Sequence, residues 1–243
     1  MIDSLLLTAT RIATFDLERP LTNATGFFFA RDERLYLVTS RHVVIDEPTK
    51  HFPNRIEFEV HSNADDLGKA LPFSVLLYRD GKSTWRQGRD GTGEIDVALI
   101  EIERSALPEG SLLRAFTPEH LQASALGQVE VGTSLLIVGF PLGFQDTLHR
   151  LPVVRQSVVA SAFGMRFGGQ GFFLTDARTH RGTSGAPVVM RDTTPEPGCE
   201  LPWKLLGVHS ARLDMAGRDL AQDESLGLNC AWYADILMTL SRD

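Results

Sequence analysis

Short apolar runs separated by turn residues dominate the pattern of hydrophobic and polar positions along the chain. The runs are rich in Val, Ile, Phe and Tyr, and most are bounded by Gly, Pro, Asn or Asp; they include TGFFFA, RLYLVT, RIEFEV, DVALIEI, SLLIVGF and WKLLGVHS. Runs of this composition and spacing are typical of strands in a β-sandwich or β-barrel, and they disfavour alternating strands and helices. The pattern therefore predicts an all-β protein.

Polar, turn-rich segments divide this strand pattern. Residues 103–122 contain two prolines, a glycine and weak alternation, and they separate two sets of strands. We therefore predict two domains, residues 1–112 and residues 113–243. Residues 78–94 and 191–202 are predicted to be exposed loops, because Gly, Asp, Pro and charged residues are frequent there.

One helical pattern occurs near the end of the chain. In the run WYADILMTL, Trp232, Ile236 and Leu240 share one stripe at helical spacing, with Leu237 beside it. This spacing predicts a short C-terminal helix that packs through its apolar side.

Composition narrows the classes of function. The chain has 243 residues, of which 43% are hydrophobic, so a sizeable core can form. The formal net charge of −7 and the lack of a Lys/Arg run argue against nucleic acid as a partner. No segment approaches the ~20 apolar residues of a membrane span, and the N-terminus has no basic leader, so we expect a cytoplasmic protein without a membrane partner. Cys199 and Cys230 form no paired spacing and no HExxH motif occurs, so we expect neither a metal nor a cofactor.

The stretch RTHRGTSGAPVV carries the strongest chemical signal. Ser184 lies there between glycines, either as a nucleophile or as the polar tip of a tight turn. A serine nucleophile needs a general base and a carboxylate that orients the base. His42 follows the strand RLYLVT, and Asp96 opens the apolar strand DVALIEI, where an unpaired carboxylate would be costly to bury. Asp90 and Glu94 are competing acids, but neither heads the apolar strand.

The glycines around Ser184 favour a catalytic role. Gly182 allows the backbone to turn so that its N–H and that of Ser184 point at one spot, as an oxyanion hole requires. Gly185 and Ala186 leave the serine unobstructed. The pattern G-x-S-G-A lacks the second glycine of the G-x-S-x-G elbow, which disfavours an α/β-hydrolase.

With these motifs the chain resembles the chymotrypsin-fold (trypsin-like) serine proteases, particularly the bacterial branch related to the Deg/HtrA proteases. Four motifs carry the resemblance, in the family's order along most of the chain: TSRHVV, DVALIEI, VGFPLG and TDARTHRGTSGAP. The resemblance implies two six-stranded antiparallel β-barrels with His42, Asp96 and Ser184 in the cleft between them. It also implies a protein or peptide substrate, whose carbonyl Ser184 attacks while the amides of Gly182 and Ser184 bind the oxyanion.

Two departures from the family pattern change what is expected of regulation. Thr183 stands where pancreatic-type members carry an Asp that pairs with a freshly cleaved N-terminus, so we expect no activation of that kind. The Deg/HtrA relatives carry a PDZ domain after the protease, and no such domain follows in this sequence. We therefore expect no control by an appended domain.

Substrate preference in this family depends on a pocket for the side chain just before the scissile bond. In this chain the walls would be residues 176–182 and 207–212. Thr179 and His209 are similar to the Thr and His of glutamyl endopeptidases and picornavirus-type proteases, which bind the end of a Glu or Gln side chain. A hydroxyl and a neutral imidazole N–H are suitable donors for such a side chain. The chain is therefore expected to cleave after Glu, Asp or Gln.

Basic residues around this pocket leave one alternative open. Arg178, Arg181 and Arg212 add local positive charge, which favours Glu or Asp over Gln. Ser210, Ala211 and Arg212 stand where those relatives have glycines. Arg212 therefore either attracts an acidic residue or blocks the mouth of the pocket.

Two alternatives to a constitutive protease also stay open. A pseudo-protease or peptide-binding module would keep the fold and dock an extended segment along the VHSAR strand. A latent protease would need an activating protein partner to order residues 178–185.

Overall fold

Two antiparallel β-sheets follow each other along the chain in the computed structural model, which describes residues 2–121, 129–213 and 227–242. Within these ranges strands far outnumber helical segments. The predicted all-β fold class and the short C-terminal helix are confirmed. No helix in the described part of the chain has the length and hydrophobicity that a membrane span requires.

Nine strands precede residue 103, and seven of them form the first sheet. In chain order they are β1 Ala9–Asp16, β2 Arg19–Arg31, β3 Arg34–Thr39, β4 Arg55–His61, β5 Ala70–Leu76, β6 Tyr78–Arg79, β7 Lys82–Ser83, β8 Trp85–Asp90 and β9 Gly93–Ile102. The sheet order is β5-β4-β1-β2-β3-β9-β8, and β6 pairs with β7 in a separate hairpin. On β4, Ile56, Phe58 and Val60 are buried at alternate positions, as the two-residue repeat of a strand requires.

Six further strands in the described residues form the second sheet. They are β10 Ser134–Gly139, β11 Val153–Val158, β12 Phe172–Thr175, β13 Pro187–Arg191, β14 Trp203–Arg212 and β15 Asn229–Tyr233. Their order in the sheet is β11-β10-β13-β14-β15-β12. A bridge between Val159 and Thr175 joins the two edges, so this sheet closes into a barrel.

Short helical segments connect the strands. The α-helices are α1 Arg41–Val44 and α2 Ile236–Leu240, and the 3-10 helices are Ser4–Leu7, Arg104–Ala106, Pro118–His120 and Pro141–Gly143.

The first sheet contains β8, a strand that the sequence pattern concealed. The prediction of an exposed loop at residues 78–94 is wrong, because β8 lies within it and pairs with β9. Trp85 is 7% exposed and lies opposite Ile100 in this pairing. The other residues of β8 are polar or glycine, which gave the segment the composition of a loop.

One hydrophobic core extends across both sheets. It includes Phe27 and Leu99 from the first sheet and Val189 and Leu205 from the second. Phe116, on the segment that connects the sheets, is fully buried and packs edge-on against Phe27, with ring centroids 5.8 Å apart. This shared core fixes the two sheets relative to each other, so the cleft between them has a defined shape.

Helix α2 packs against the first sheet although it follows the second along the chain. Leu237 is fully buried, and the Arg31 guanidinium on β2 donates to Met238 O at 2.9 Å. The predicted stripe is only partly helical, because Trp232 lies on β15 and the helix begins at Ile236.

Candidate active site

His42 and Asp96 form a hydrogen-bonded pair in the cleft between the sheets. After β3, helix α1 turns the chain so that His42 faces Asp96 on β9. The His42 Nδ1 lies 2.7 Å from Asp96 Oδ2, and the His42 backbone N–H donates to Asp96 Oδ1 at 2.8 Å. The Ser210 hydroxyl on β14 donates to Oδ2 at 2.5 Å. These three bonds fix the orientation of the imidazole and leave Nε2 as the ring nitrogen available for a proton.

The competing acids are engaged elsewhere. Asp90 accepts hydrogen bonds from Thr92 and Arg166, which hold the pKa of its carboxyl well below its usual range. Glu94 forms ion pairs with Arg89 at 3.6 Å and with Arg41 at 3.9 Å. Of the three candidate acids in this segment, Asp96 is the one that contacts the histidine.

The environment of His42 favours its protonated form. Burial by itself lowers the pKa of the imidazole, but the hydrogen bond that the ring donates to Asp96 and the negative charge of this carboxylate outweigh burial and raise the pKa above 6.5. The side chain is still 36% exposed, so substrate and water can reach it. A histidine in this state suits a base that takes up one proton and releases it again.

Ser184 lines the same cleft as His42, on the loop that leads into β13. The side chain is half-buried, and its hydroxyl donates to Ser210 O at 3.1 Å. Ser210 therefore contacts the acid through its hydroxyl and the serine through its carbonyl. Because a serine side chain moves between staggered rotamers and its hydroxyl hydrogen rotates, this bond does not fix the direction of the Ser184 O–H.

The turn that precedes Ser184 leaves two backbone amides without acceptors. An N–H···O bond of 3.2 Å closes the turn at residues 180–183, and Gly182 in its third position has φ +91°, as a type II turn requires. The Arg181 carbonyl accepts from the Leu142 N–H at 2.5 Å. In this trans peptide the Gly182 N–H points the opposite way, away from Leu142. Within the described part of the chain, neither this N–H nor that of Ser184 donates to an acceptor.

Thr25 on β2 clamps this turn to the first sheet. Its hydroxyl donates to Gly182 O at 2.7 Å and accepts from the Phe140 N–H at 3.0 Å. The Thr25 N–H donates to Ser184 O at 3.0 Å, and the Thr39 hydroxyl donates to Thr25 O at 2.8 Å. Sequence reasoning missed Thr25, for which the only signal was a polar residue at the start of the apolar run TGFFFA.

Close approach of the loop to the first sheet leaves no space for a side chain at Gly185. Its φ is +86°, and a Cβ atom there would overlap Thr25 O and Thr39 Oγ1. A Cβ atom at Gly182 would lie 2.6 Å from Phe140 O. Glycine is therefore needed at these two positions for two reasons: a Cβ atom would clash there, and the backbone has a positive φ.

Thr179 lies on the expected pocket wall, but its hydroxyl hydrogen is used within the protein. The residue is 3% exposed, and its Oγ1 lies 2.5 Å from Asn229 Oδ1. The Asn229 amide nitrogen donates to Ala177 O at 2.7 Å, which sets the orientation of the amide and makes Thr179 the donor. The Thr179 oxygen can therefore only accept a further bond. Sequence reasoning missed Asn229, because nothing local indicates a partner so distant along the chain.

His209 is buried on β14, within electrostatic range of the His42–Asp96 pair. Burial, with a smaller effect from His42 and an opposing one from Asp96, lowers the pKa of its imidazole to about 4. The ring is therefore neutral at pH 7. Among the described residues its Nδ1 has no hydrogen-bond partner. In a neutral imidazole one ring nitrogen carries a hydrogen and the other accepts.

The other predicted pocket residues differ in exposure. Ser210 is buried and bonded as described above, whereas Ala211, Arg212 and Arg178 are exposed. The pairing of β14 with β15 is irregular between His209 and Arg212. The two arginines therefore lie at the surface. The described residues contain no group of three or more His, Cys, Asp or Glu side chains placed to hold a metal.

Comparisons with known proteins point to one family. The model described as "Trypsin-like peptidase domain" matches residues 24–194, which contain His42, Asp96 and Ser184. Among solved structures, the serine endoprotease from Yersinia pestis aligns with 97% of this chain at a TM-score of 0.57 and 16% sequence identity, a similarity of fold. The chain spans 62% of the length of that protein. No curated protein matches the sequence.

Replacing Thr25 by Val should destabilise the protein through the loss of one hydroxyl. Gly182 O and the Phe140 N–H would keep their buried positions and lose a partner, so we expect the free energy of unfolding to fall by about 1–3 kcal/mol. Urea denaturation measures this change. Thr25→Ser keeps the hydroxyl and serves as the matched control. Equal or greater destabilisation by Thr25→Ser would show that the methyl group, not the hydroxyl, is what matters.

Proposed function

The chain belongs to the trypsin-like peptidase domain family, and from this premise we propose that it is a serine endopeptidase that acts through an acyl-enzyme intermediate. The observation that carries the proposal is the pairing of His42 with Asp96 in the cleft that Ser184 also lines. A general base, the group that orients it and a nucleophile are the minimum set for acyl transfer. No cofactor is needed for this chemistry.

In the first half of the reaction, Ser184 Oγ attacks the carbonyl carbon of the scissile peptide bond. Its proton passes to His42 Nε2, which requires the hydroxyl to turn from Ser210 O toward the imidazole. Asp96 stabilises the imidazolium that forms. When the tetrahedral intermediate collapses, the C–N bond breaks and His42 returns the proton to the leaving amine. Water then attacks the acyl-enzyme with the same proton transfers, which releases the second product and restores Ser184.

The unpartnered amides of Gly182 and Ser184 would bind the oxyanion of each tetrahedral intermediate. They are held in place before substrate arrives, because the carbonyls of the same two peptide units are fixed: Arg181 O accepts from the Leu142 N–H, and Thr183 O accepts from the Ala186 N–H. Loss of one such donor typically costs about 10²–10³-fold in rate. This ready-formed turn favours a constitutive enzyme over one that waits for a partner to order residues 178–185.

We further propose that the residue before the scissile bond is Glu, Asp or Gln. A neutral His209 can donate one hydrogen bond to a carboxylate or amide oxygen. Thr179 offers an acceptor, because its hydrogen is engaged by Asn229. One donor and one acceptor match an amide better than a carboxylate, so this arrangement favours Gln within the set. Arg178 and Arg212 at the surface favour the acids.

Covalent labelling tests whether Ser184 is the nucleophile. A fluorophosphonate probe should label the wild type and leave Ser184→Ala unlabelled, because the variant lacks the attacking oxygen. Circular dichroism during denaturation should show the free energy of unfolding unchanged within about 1 kcal/mol. Failure of the wild type to label beside an active serine protease would favour the peptide-binding alternative, and collapse of Ser184→Ala would indicate a structural serine.

The pH dependence tests the His42–Asp96 pair. Because Asp96 raises the pKa of His42, hydrolysis should increase with pH through an apparent pKa above 6.5, as the imidazole loses its proton and becomes a base. Asp96→Asn removes the negative charge that outweighs the effect of burial on the His42 pKa. NMR titration of this variant should therefore show a lower His42 pKa than in the wild type. An unchanged pKa in this variant would contradict the assignment of Asp96.

A peptide library with every residue before the scissile bond tests specificity. Cleavage should follow Gln, Glu and Asp, with Gln highest. Thr179→Val, which keeps the shape but loses the oxygen, should reduce kcat/KM for Gln several-fold more than for Glu, because the amide loses its acceptor. Cleavage after Lys, Arg or Leu with Gln, Glu and Asp ignored would refute the role of Thr179 and His209.

A further inference from the structure

The cleft that His42 and Ser184 line extends well beyond these two residues. It has a volume of about 800 Å³, and Ser184, His42 and Gly182 contribute to its wall. The rest of its wall comes from the first six residues of β2, from Val43 and the segment after α1, from residues 142–143 and from Arg181. A cleft of this size accommodates several residues of an extended peptide.

The lining shows which part of a substrate this cleft would hold. None of the residues 207–212 contributes to its wall, and of the residues 176–182 only Arg181 and Gly182 do. Those segments form the proposed pocket for the residue before the scissile bond. The cleft therefore lies on the side of the leaving group, where the residues after the scissile bond would lie; this reading rests on the proposed function.

Three cations line this cleft. Arg19 lies at the start of β2, Lys50 in the turn after α1, and Arg181 in the turn before Ser184, so they come from three separate segments. All three side chains are exposed, and none forms an ion pair within 4.0 Å with a carboxylate in the described part of the chain. Asp46 is the one carboxylate among the described lining residues, and its Oδ2 accepts the Thr49 hydroxyl.

These unpaired cations are concentrated on one cleft of a chain that is acidic overall. The chain has a formal net charge of −7, and many arginines elsewhere are neutralised by neighbours. Examples are the pairs Arg41–Glu47, Arg55–Glu57, Arg86–Glu101 and Arg166–Asp90. Cations that converge on a cleft without partners create a local positive potential, which attracts acidic ligands from solution and binds them at short range.

We propose that this cleft holds the substrate residues that follow the scissile bond, and that Arg19, Lys50 and Arg181 select acidic side chains among the first few of them. Each contact is partly exposed, so each contributes a modest factor, and the three together discriminate against basic peptides. The selectivity arises from long-range charge as well as from direct pairing, and it therefore decreases as salt screens the charges.

Hydrolysis of matched peptides tests the proposal. The peptides share one sequence up to the scissile bond and carry Glu, Gln or Lys at the second and third positions after it. At low salt we expect kcat/KM to be about ten-fold higher for the Glu peptide than for the Gln peptide, and lowest for Lys. The ratio should fall toward unity in 0.5 M NaCl, where the Debye length is only about 4 Å.

Charge-neutralising variants identify the residues responsible. Arg19→Gln and Lys50→Gln should each reduce kcat/KM for the Glu peptide about three-fold, with little effect on the Gln peptide. Lys82→Gln is the matched control, since Lys82 is an exposed lysine on β7 that does not line the cleft. Equal loss in Lys82→Gln would attribute the effect to overall charge and overturn the proposal, as would equal cleavage of all three peptides.

Binding to Ser184→Ala separates this proposal from the proposed catalysis. Fluorescence anisotropy with the same labelled peptides reports affinity without turnover. The Glu peptide should bind more tightly than the Lys peptide, and Arg19→Gln and Lys50→Gln should weaken its binding. This result supports the cleft assignment even if the wild type fails to hydrolyse peptides or to label with fluorophosphonate. The opposite result is also informative. If the wild type labels and hydrolyses peptides but Ser184→Ala binds the Glu and Lys peptides equally, the proposed catalysis stands and the acidic preference is refuted.

Discussion

The three hydrogen bonds that converge on the Asp96 carboxylate connect the elements on which the chemistry depends. They come from the backbone and ring of His42 on α1 and from the hydroxyl of Ser210 on β14, so one half-buried acid links helix α1 and a strand of the second sheet to β9 of the first. A carboxylate withdrawn from water is tolerated only when such donors replace its hydration. The bonds that replace the hydration of Asp96 also determine the position and tautomer of the imidazole. The same contacts therefore stabilise the cleft and prepare His42 for proton transfer.

A second set of contacts holds the nucleophile loop against the first sheet. Thr25 contacts the carbonyls of Gly182 and Ser184 and the amide of Phe140, and Gly185 lies directly against Thr25 and Thr39. The serine and the amides beside it belong to the second sheet by sequence, but their positions are set by the first. The positive φ values of both glycines follow from this arrangement, because the loop must turn sharply while its backbone touches another strand.

The sequence pattern predicts the all-β class, the C-terminal helix and the acid that pairs with the histidine, because each has a local signature. An acid that opens an apolar strand, as Asp96 does, is such a signature. The strand at Trp85 was missed because polar residues on its exposed face give it the composition of a loop. Trp232 was assigned to the helix because it lies at helical spacing from Ile236, although it is one of the last residues of β15. The bond from Thr179 to Asn229 could not be inferred, since the two residues meet only when β15 takes its place in the sheet. Side-chain contacts between residues that are distant along the chain produce no periodic pattern in the sequence.

Because the candidate site is divided between the two sheets, neither sheet alone contains a complete set of reactive groups. His42, Asp96 and the Thr25 clamp come from one sheet, and Ser184 with its turn comes from the other. A newly synthesised chain that has folded only its first sheet therefore has a paired histidine and acid without a nucleophile. On the proposed function, hydrolysis therefore requires that both sheets are folded and docked against each other. The seam between the sheets would in this way keep a partly folded chain from cleaving itself.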